Sequence, residues 1–149
     1  MISYFKDGKV MAEGKYVDQK KDSIWNYYSE ISGTLVSREV YENTRKSGVW
    51  QTYYDNGNVA EEVTYKNDIR DGPCNQYFTT GEIKSKSVYI NDRLEGLTTI
   101  YHLNGMVNVS GTYKNSQKDG IWMYFDEEGE KEMKEVYVMG DLQSVEEFD

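Results

Sequence analysis

Glycine recurs every twenty-four residues along most of this 149-residue chain. The glycines at this spacing are Gly48, Gly72, Gly96 and Gly120, and a tyrosine follows each of them seventeen residues later, at Tyr65, Tyr89, Tyr113 and Tyr137. Self-similarity at a fixed period is typical of a supersecondary unit that is copied and stacked against its neighbours. The chain is therefore predicted to be a tandem array.

Each unit contains two strand-like stretches separated by turn signals. The first stretch, as in residues 48–54, is rich in aromatic and β-branched residues and ends at a glycine turn such as Asp55-Asn56-Gly57. The second stretch alternates in polarity, and pairs such as Asp71-Gly72 are interpreted as the return turns to the next unit. Two alternating stretches joined by a glycine turn predict a β-hairpin.

The predicted fold is all-β, with 24-residue hairpin repeats that form one elongated, twisted or curled antiparallel sheet. Residues 1–142 are assigned to an array of about five to six units with about eleven or twelve strands, and residues 143–149 to an acidic C-terminal tail.

Alternation with period two predicts which side chains share a face of the sheet. In the second strand of each unit, Val59 and its equivalents are placed on the same side as Tyr65 and the other periodic tyrosines. In the first strand, Tyr53 and its equivalents lie on one side. An irregular aromatic row lies on the other side and includes Trp25, Tyr27, Trp50, Tyr54, Phe78, His102, Trp122 and Tyr124.

The first full unit begins at Ser23, which stands in the glycine position, so the units that begin at Gly48, Gly72 and Gly96 are the second, third and fourth. The second unit carries the pattern G-x-W-x-x-Y-Y-x-N-G, followed by Tyr65-Lys66-Asn67. This pattern resembles the bacterial variant of the MORN repeat, and the resemblance covers roughly residues 2–142. Proteins built of this variant are commonly labelled YwqK-type antitoxins, so the resemblance implies an immunity protein that binds and neutralises a toxin. Other MORN proteins are scaffolds or membrane-associated modules. The chain departs from the pattern at Cys74 and Thr98, which replace the tryptophan, and at Asp68, Asp92 and Ser116, which replace a turn glycine.

The net charge of −9 is concentrated at one end of the chain. Residues 126–149 hold ten acidic and two basic side chains, and the acidic ones include Glu127, Glu128 and Glu130. Such a cluster repels phosphates and favours a basic partner, which argues against binding to nucleic acid or to a membrane. A second interpretation stays open, in which the charges protect the last strand from edge-to-edge aggregation.

The candidates for catalysis are few. The single histidine, His102, occupies the position of Tyr54 and Phe78 in other units, and the single cysteine, Cys74, occupies a tryptophan position. Both are therefore interpreted as variable scaffold residues, and together they cannot form a structural zinc site. The sequence predicts a protein that is not an enzyme and has no cofactor or metal site.

Recognition is therefore assigned to the aromatic row and to Glu127, Glu128 and Glu130, because tyrosine and tryptophan are enriched at interface hot spots. The alternative for the row is that a curled sheet covers it. The leading hypothesis is a cytoplasmic immunity protein or antitoxin that is monomeric until it binds a basic, nuclease-like toxin domain encoded nearby. The rival hypothesis is a MORN-type scaffold that organises other proteins or associates end to end with its own copies.

Overall fold

A computed structural model describes residues 1–148, and within them every regular element is a strand. The strands follow one another antiparallel in a single sheet, from β1 at one edge to β15 at the other, with β5 and β10 as short pieces beside the main path. Their bounds are β1 Ile2–Tyr4, β2 Val10–Val17, β3 Lys20–Tyr28, β4 Leu35–Glu42, β5 Arg45–Lys46, β6 Gly48–Tyr53, β7 Val59–Lys66, β8 Ile69–Tyr77, β9 Ile83–Ile90, β10 Arg93–Leu94, β11 Gly96–Tyr101, β12 Val107–Lys114, β13 Gln117–Phe125, β14 Lys131–Val138 and β15 Asp141–Glu147. The predicted all-β hairpin array is confirmed, and the sheet stays open.

The hairpin turns lie where the glycine motifs place them. In the turn between β6 and β7, Gly57 has a φ of +88°, and its amide donates a hydrogen bond to the carbonyl of Tyr54 at 2.9 Å. The amide of Tyr54 in turn donates to the carbonyl of Asn58 at 2.8 Å. Glycine is suited to this position because it adopts a positive φ without a steric penalty from Cβ.

The return turns do not lie at the acidic-glycine pairs, so that interpretation was wrong. Between β7 and β8 the turn is formed by Asn67 and Asp68, whose φ angles are +51° and +70°. Two successive positive φ angles define the tight turn that matches strand twist, and Asn and Asp tolerate that conformation better than most residues. Gly72 lies instead inside β8, where the register between β7 and β8 shifts.

A bulge near the start of the second strand changes which residues share a face. Tyr53 is paired with Val59 and Thr52 with Glu61, which leaves Ala60 as an extra residue on β7. An extra residue reverses the alternation, so Val59 lies on the side of Tyr53 while Tyr65 lies on the side of Trp50. The prediction that Val59 and its equivalents share the side of Tyr65 was therefore wrong. The same shift recurs at Val10, Leu35, Ile83 and Val107.

The two faces of the sheet differ in burial. The side that carries Trp25, Trp50, Trp122 and the periodic tyrosines is termed the tryptophan face, and the side that carries Tyr53 and its equivalents is termed the opposite face. The small core lies on the tryptophan face, and its buried side chains are those of Ala12, Trp25, Cys74, Thr98 and Trp122.

The expected acidic tail is largely a strand. Residues 141–147 form β15, which pairs antiparallel with β14 from Val138↔Asp141 to Met133↔Glu147. Met139 and Gly140 supply the positive φ angles of one more return turn, so the chain folds back onto β14. The boundary at residue 142 was therefore wrong, and the sheet contains thirteen strands along its main path. Asp149, the last residue of the expected tail, lies outside the described residues.

Side chains join the return turns from Asn43 onward to the neighbouring unit. The Oδ1 atom of Asp68 accepts a hydrogen bond from the amide of Lys46 at 2.7 Å, and Ser116 Oγ accepts one from the amide of Leu94 at 2.9 Å. Asp119 Oδ1 accepts one from the amide of Met139 at 3.1 Å. The acidic residues before the periodic glycines, of which Asp119 is one, were interpreted as turn formers. Asp119 instead ties its strand to the return turn that follows.

Candidate functional site

The predicted aromatic row separates into three environments. Trp25 and Trp122 are buried, with 4% and 2% of their surface exposed. Trp50, Tyr27 and Tyr124 are partly exposed on the tryptophan face. The other members, Tyr54, Phe78 and His102, lie beyond the ends of the first strands, in the hairpin turns.

Trp25 and Trp122 lie flat against a neighbouring strand because that strand carries glycine. A Cβ atom added at Gly14 would lie 2.2 Å from Cδ2 of Trp25, and one added at Gly111 would lie 2.1 Å from Cδ2 of Trp122. Each indole N–H also donates to a backbone carbonyl on that strand, that of Lys15 at 3.1 Å in the case of Trp25. These two tryptophans belong to the core, and their assignment to a partner-binding surface was wrong.

Trp50 occupies the same kind of site, but its side chain is more exposed than those of Trp25 and Trp122. Its indole N–H donates to the carbonyl of Val40 at 2.8 Å, and its ring lies 5.1 Å from that of Tyr41 and 5.2 Å from that of Tyr65. The ammonium group of Lys46 lies 4.3 Å from the ring centroid. Trp50 therefore shows the full set of neighbours of a tryptophan in this array: two tyrosines, a cation and a carbonyl acceptor.

Tyr124 belongs to a hydrogen-bonded cluster around Lys118. The Lys118 ammonium donates to Tyr124 Oη at 3.0 Å and to Glu135 at 3.3 Å, and lies 4.5 Å from the ring centroid of Trp122. The Tyr124 hydroxyl donates to Glu135 at 2.6 Å, and this bond lowers the pKa of the Glu135 carboxyl although burial acts in the opposite direction. For Lys118, burial disfavours the charged form, but bonds to Tyr124, Tyr137 and Glu135 outweigh burial and raise its pKa.

Tyr27 has the equivalent role in the first full unit. Lys21 donates a hydrogen bond to its hydroxyl and lies 4.8 Å from the ring centroid of Trp25. Both tyrosines therefore hold the lysine that covers a buried tryptophan. Their polar ends are engaged within the fold.

The turn members of the row join neighbouring units. The hydroxyl of Tyr54 donates to the carbonyl of Tyr77 at 2.7 Å, and Nε2 of His102 lies 2.9 Å from the carbonyl of Phe125. These pairs are equivalent because each connects residues twenty-three positions apart. His102 thus makes the contact that a tyrosine makes elsewhere in the array, which explains the histidine without catalysis.

The predicted acidic residues lie together in one hairpin turn. Glu127, Glu128 and Glu130 are exposed between β13 and β14 and are termed the acidic turn. Asp126 organises this turn, because its Oδ1 atom accepts hydrogen bonds from the amides of Glu128 and Glu130 at 3.0 and 2.8 Å. The three glutamates therefore present their carboxylates to solvent at the C-terminal end of the array.

A hollow opens on the tryptophan face where two successive units lack tryptophan. It has a volume of about 210 Å³ and lies over β9, next to Cys74 and Thr98. Its walls include Ser87, Tyr89, Leu94 and Tyr113, with Glu61 and Lys84 also along its lining. Sequence reasoning noted the substitutions Cys74 and Thr98 but not the space that they leave.

An apolar stripe on the opposite face was also missed as a candidate surface. Its members directly follow the periodic glycine or its equivalent, and Ile24, Val49, Leu97 and Ile121 are 42%, 40%, 62% and 54% exposed. The available signal was that a single-layer sheet cannot cover both of its sides.

Reactive chemistry is not apparent in the described part of the chain. No group of three or more His, Cys, Asp or Glu residues there could hold a metal ion. Burial, the largest influence, raises the pKa of the Cys74 thiol, which disfavours the nucleophilic thiolate. Among the same residues, no helix is long and apolar enough to span a bilayer.

Comparison with protein families finds three tandem copies of the MORN repeat variant, at residues 46–67, 70–91 and 94–115. These are the second, third and fourth units of the array, and the third and fourth contain the hollow. MORN repeats are generally non-enzymatic interaction modules, which suggests a protein-interaction scaffold. No curated protein matches the chain.

Proposed function

We propose that this chain is a non-enzymatic protein-binding module that acts as an immunity protein or antitoxin and neutralises a toxin domain by covering it. The observation that carries the binding role is the open single-layer sheet, which leaves an aromatic hollow on one face and the apolar stripe on the other. Aligned apolar exposure of this kind is typical of surfaces that bind proteins.

The charge distribution supports a basic partner. The acidic turn presents three glutamates that make no salt bridge in the described structure. Charges of one sign at the rim of an interface accelerate encounter with a partner of opposite sign, and they repel nucleic acid and anionic lipid. A toxin domain with a positive groove, such as a nuclease, fits this description.

The proposal is tested by co-expression with the product of the adjacent gene. If the proposal is correct, that product is toxic alone, is tolerated when this chain is present, and co-purifies with it. A toxic neighbour that neither binds this chain nor loses its toxicity would refute the proposal.

A charge-reversal pair tests the part assigned to the acidic turn. Substitution of Glu127, Glu128 and Glu130 by lysine is expected to slow association and to weaken its dependence on salt. The matched control replaces Glu30, Asp55 and Glu82 by lysine and changes the net charge by the same amount. These three acidic residues are exposed in the hairpin turns of other units. Equal slowing by both triple variants would show that only net charge matters.

The second candidate function is a scaffold that associates end to end. It is favoured by the two sheet edges, because within residues 1–148 β1 and β15 each have a single strand neighbour and leave backbone groups available for pairing. Light scattering across a concentration series separates the candidates, since a scaffold forms oligomers of increasing mass and the proposed inhibitor remains a monomer without its target.

A further inference from the structure

The hollow on the tryptophan face corresponds to a tryptophan site whose tryptophan is missing. In the second unit, Trp50 contacts Tyr41 and Tyr65 and lies beside Lys46. The residues at the equivalent positions forty-eight further along the chain are Tyr89, Tyr113 and Leu94, and all three line the hollow. Thr98 stands where the tryptophan would be attached.

The hydrogen-bond acceptor of the tryptophan site is also preserved. The carbonyl oxygen of Val40 accepts two hydrogen bonds, one from the amide of Ser47 at 2.9 Å and one from the indole N–H of Trp50 at 2.8 Å. At the hollow, the carbonyl oxygen of Val88 accepts the equivalent hydrogen bond, from the amide of Glu95 at 3.0 Å. A carbonyl oxygen has two lone pairs, so Val88 retains the acceptor that Val40 offers to an indole N–H.

The size and surroundings of the hollow suit an aromatic ring. Its volume of about 210 Å³ exceeds the ~150 Å³ of an engineered apolar cavity that binds benzene. Tyr89 and Tyr113 flank the hollow at the positions equivalent to Tyr41 and Tyr65, whose rings meet that of Trp50 edge-on and tilted. Ser87 occupies the place of Gly14 and Gly111, where a Cβ keeps an indole from lying flat on the strand. The hollow therefore matches the Trp50 site, in which the same place holds Glu39 and the tryptophan is bound without a glycine beneath it.

We propose that this hollow binds a tryptophan side chain presented by the protein partner, which thereby completes the array at its fourth unit. This inference rests on the proposed protein-binding function and names the chemistry of its contact. The partner's indole lies between Tyr89 and Tyr113 and donates its N–H to the carbonyl of Val88. The hollow also differs from the site of Trp50 in its cover, since Leu94 replaces the lysine that lies over the ring.

The first test uses the whole chain and N-acetyl-L-tryptophanamide as the probe. Titration of isotope-labelled protein is expected to give saturable NMR shifts at the amides of Ser87, Leu94 and Thr98, with a Kd on the order of millimolar. N-acetyl-L-leucinamide is the comparison and is expected to leave these amides unshifted. An absence of saturable shifts with the tryptophan probe, or equal shifts with both probes, would overturn the proposal.

Two substitutions at the hollow and one control substitution make the test more specific. Leu94→Lys restores the cation found at Lys21, Lys46 and Lys118, and it is expected to tighten probe binding about two- to fivefold through a cation–π contact. Thr98→Trp fills the hollow from within and is expected to abolish binding, whereas Leu103→Trp adds a tryptophan at an exposed turn and leaves binding unchanged. If Thr98→Trp does not fold, the Leu94→Lys titration decides, and unchanged or weaker binding there would contradict the proposal.

Failure of the tryptophan contact can be distinguished from failure of the proposed antitoxin function. If the toxic partner binds wild type and Thr98→Trp equally well, protein binding stands and the tryptophan contact is refuted. If the probe binds the hollow but the adjacent gene product does not bind the chain, the hollow stands and the antitoxin role fails.

Discussion

Gly111 is expected to be essential for the packing of Trp122, and the substitution Gly111→Ala tests this. An added Cβ would lie 2.1 Å from Cδ2 and 2.4 Å from Cε2 of Trp122, far inside van der Waals contact. The indole must move off the strand, although it is among the most buried side chains described, at 2% exposure. Overpacking of this kind costs about 1 to 3 kcal/mol, and complete loss of a buried tryptophan costs about 3 to 5 kcal/mol.

A double-mutant cycle identifies the steric origin of this cost. In the Trp122→Thr background, which reproduces the fourth unit with its Thr98, Gly111→Ala has no ring to displace. It is then expected to be neutral, or to stabilise by about 0.5 to 1 kcal/mol, because glycine inside a strand is entropically unfavourable. The coupling between the two sites should therefore reach about 1 to 4 kcal/mol.

Urea unfolding of the four proteins, followed by circular dichroism, measures these free energies. Circular dichroism of the sheet is preferable to fluorescence because the cycle removes one of the three tryptophans. If Gly111→Ala is equally destabilising in both backgrounds, the explanation by contact with Trp122 is refuted.

The remaining predictions concern pH and turn geometry. The hydroxyl of Tyr124 lowers the pKa of Glu135 below its usual value of 4.5, so this group stabilises the fold above that pH and the stabilisation is lost as pH falls through the lowered value. Urea unfolding between about pH 5 and pH 3 should therefore show a larger loss of stability for wild type than for Glu135→Gln, and parallel curves would contradict this. At the return turn, Asn67→Ala should destabilise by about 1 to 2 kcal/mol because φ is +51°, whereas Asn67→Gly should be tolerated. Thermal unfolding measures both variants, and an equal decrease in Tm would refute the assignment to backbone conformation.

The sequence period was sufficient to predict the fold, because equivalent residues of stacked units must occupy equivalent environments. The positions of the hairpin turns also followed from glycines such as Gly57. The return turns were misplaced because Asp71-Gly72 is a strong turn signal on its own, while Asn67-Asp68 adopts the same kind of positive φ without glycine. Local residue preferences did not distinguish a turn from a bulge at Gly72.

Errors about the faces had a single physical cause. One unpaired residue, Ala60, reverses the alternation within β7, and nothing in the polarity pattern marks its position. The sequence did predict that Tyr53 and Trp50 lie on opposite sides, because no bulge separates them. The tail was misjudged since its charge indicated solvent exposure, and β15 is indeed exposed along its length while remaining a paired strand.

The candidate site was predictable only in part. The sequence shows that Cys74 and Thr98 depart from the repeat. The hollow beside them also depends on Ser87, Leu94 and Tyr113, which come together only because their strands are neighbours in the sheet. Burial of Trp25 and Trp122 depends on glycines in the preceding strand, a pairing that appears only once the register is known.

The hydrogen bonds between return turns and neighbouring units have a consequence for how the molecule unfolds. Hydrogen bonds such as Lys46 to Asp68 and Leu94 to Ser116 span twenty-two residues, so each unit is held by the units beside it and by little else. Opening is therefore expected to advance inward from the two ends, one hairpin after another, and amide exchange should be slowest in the middle of the array. The third unit, whose strand β8 lies at the centre of the thirteen-strand path and whose strand β9 underlies the hollow, is then the last part of the molecule to unfold.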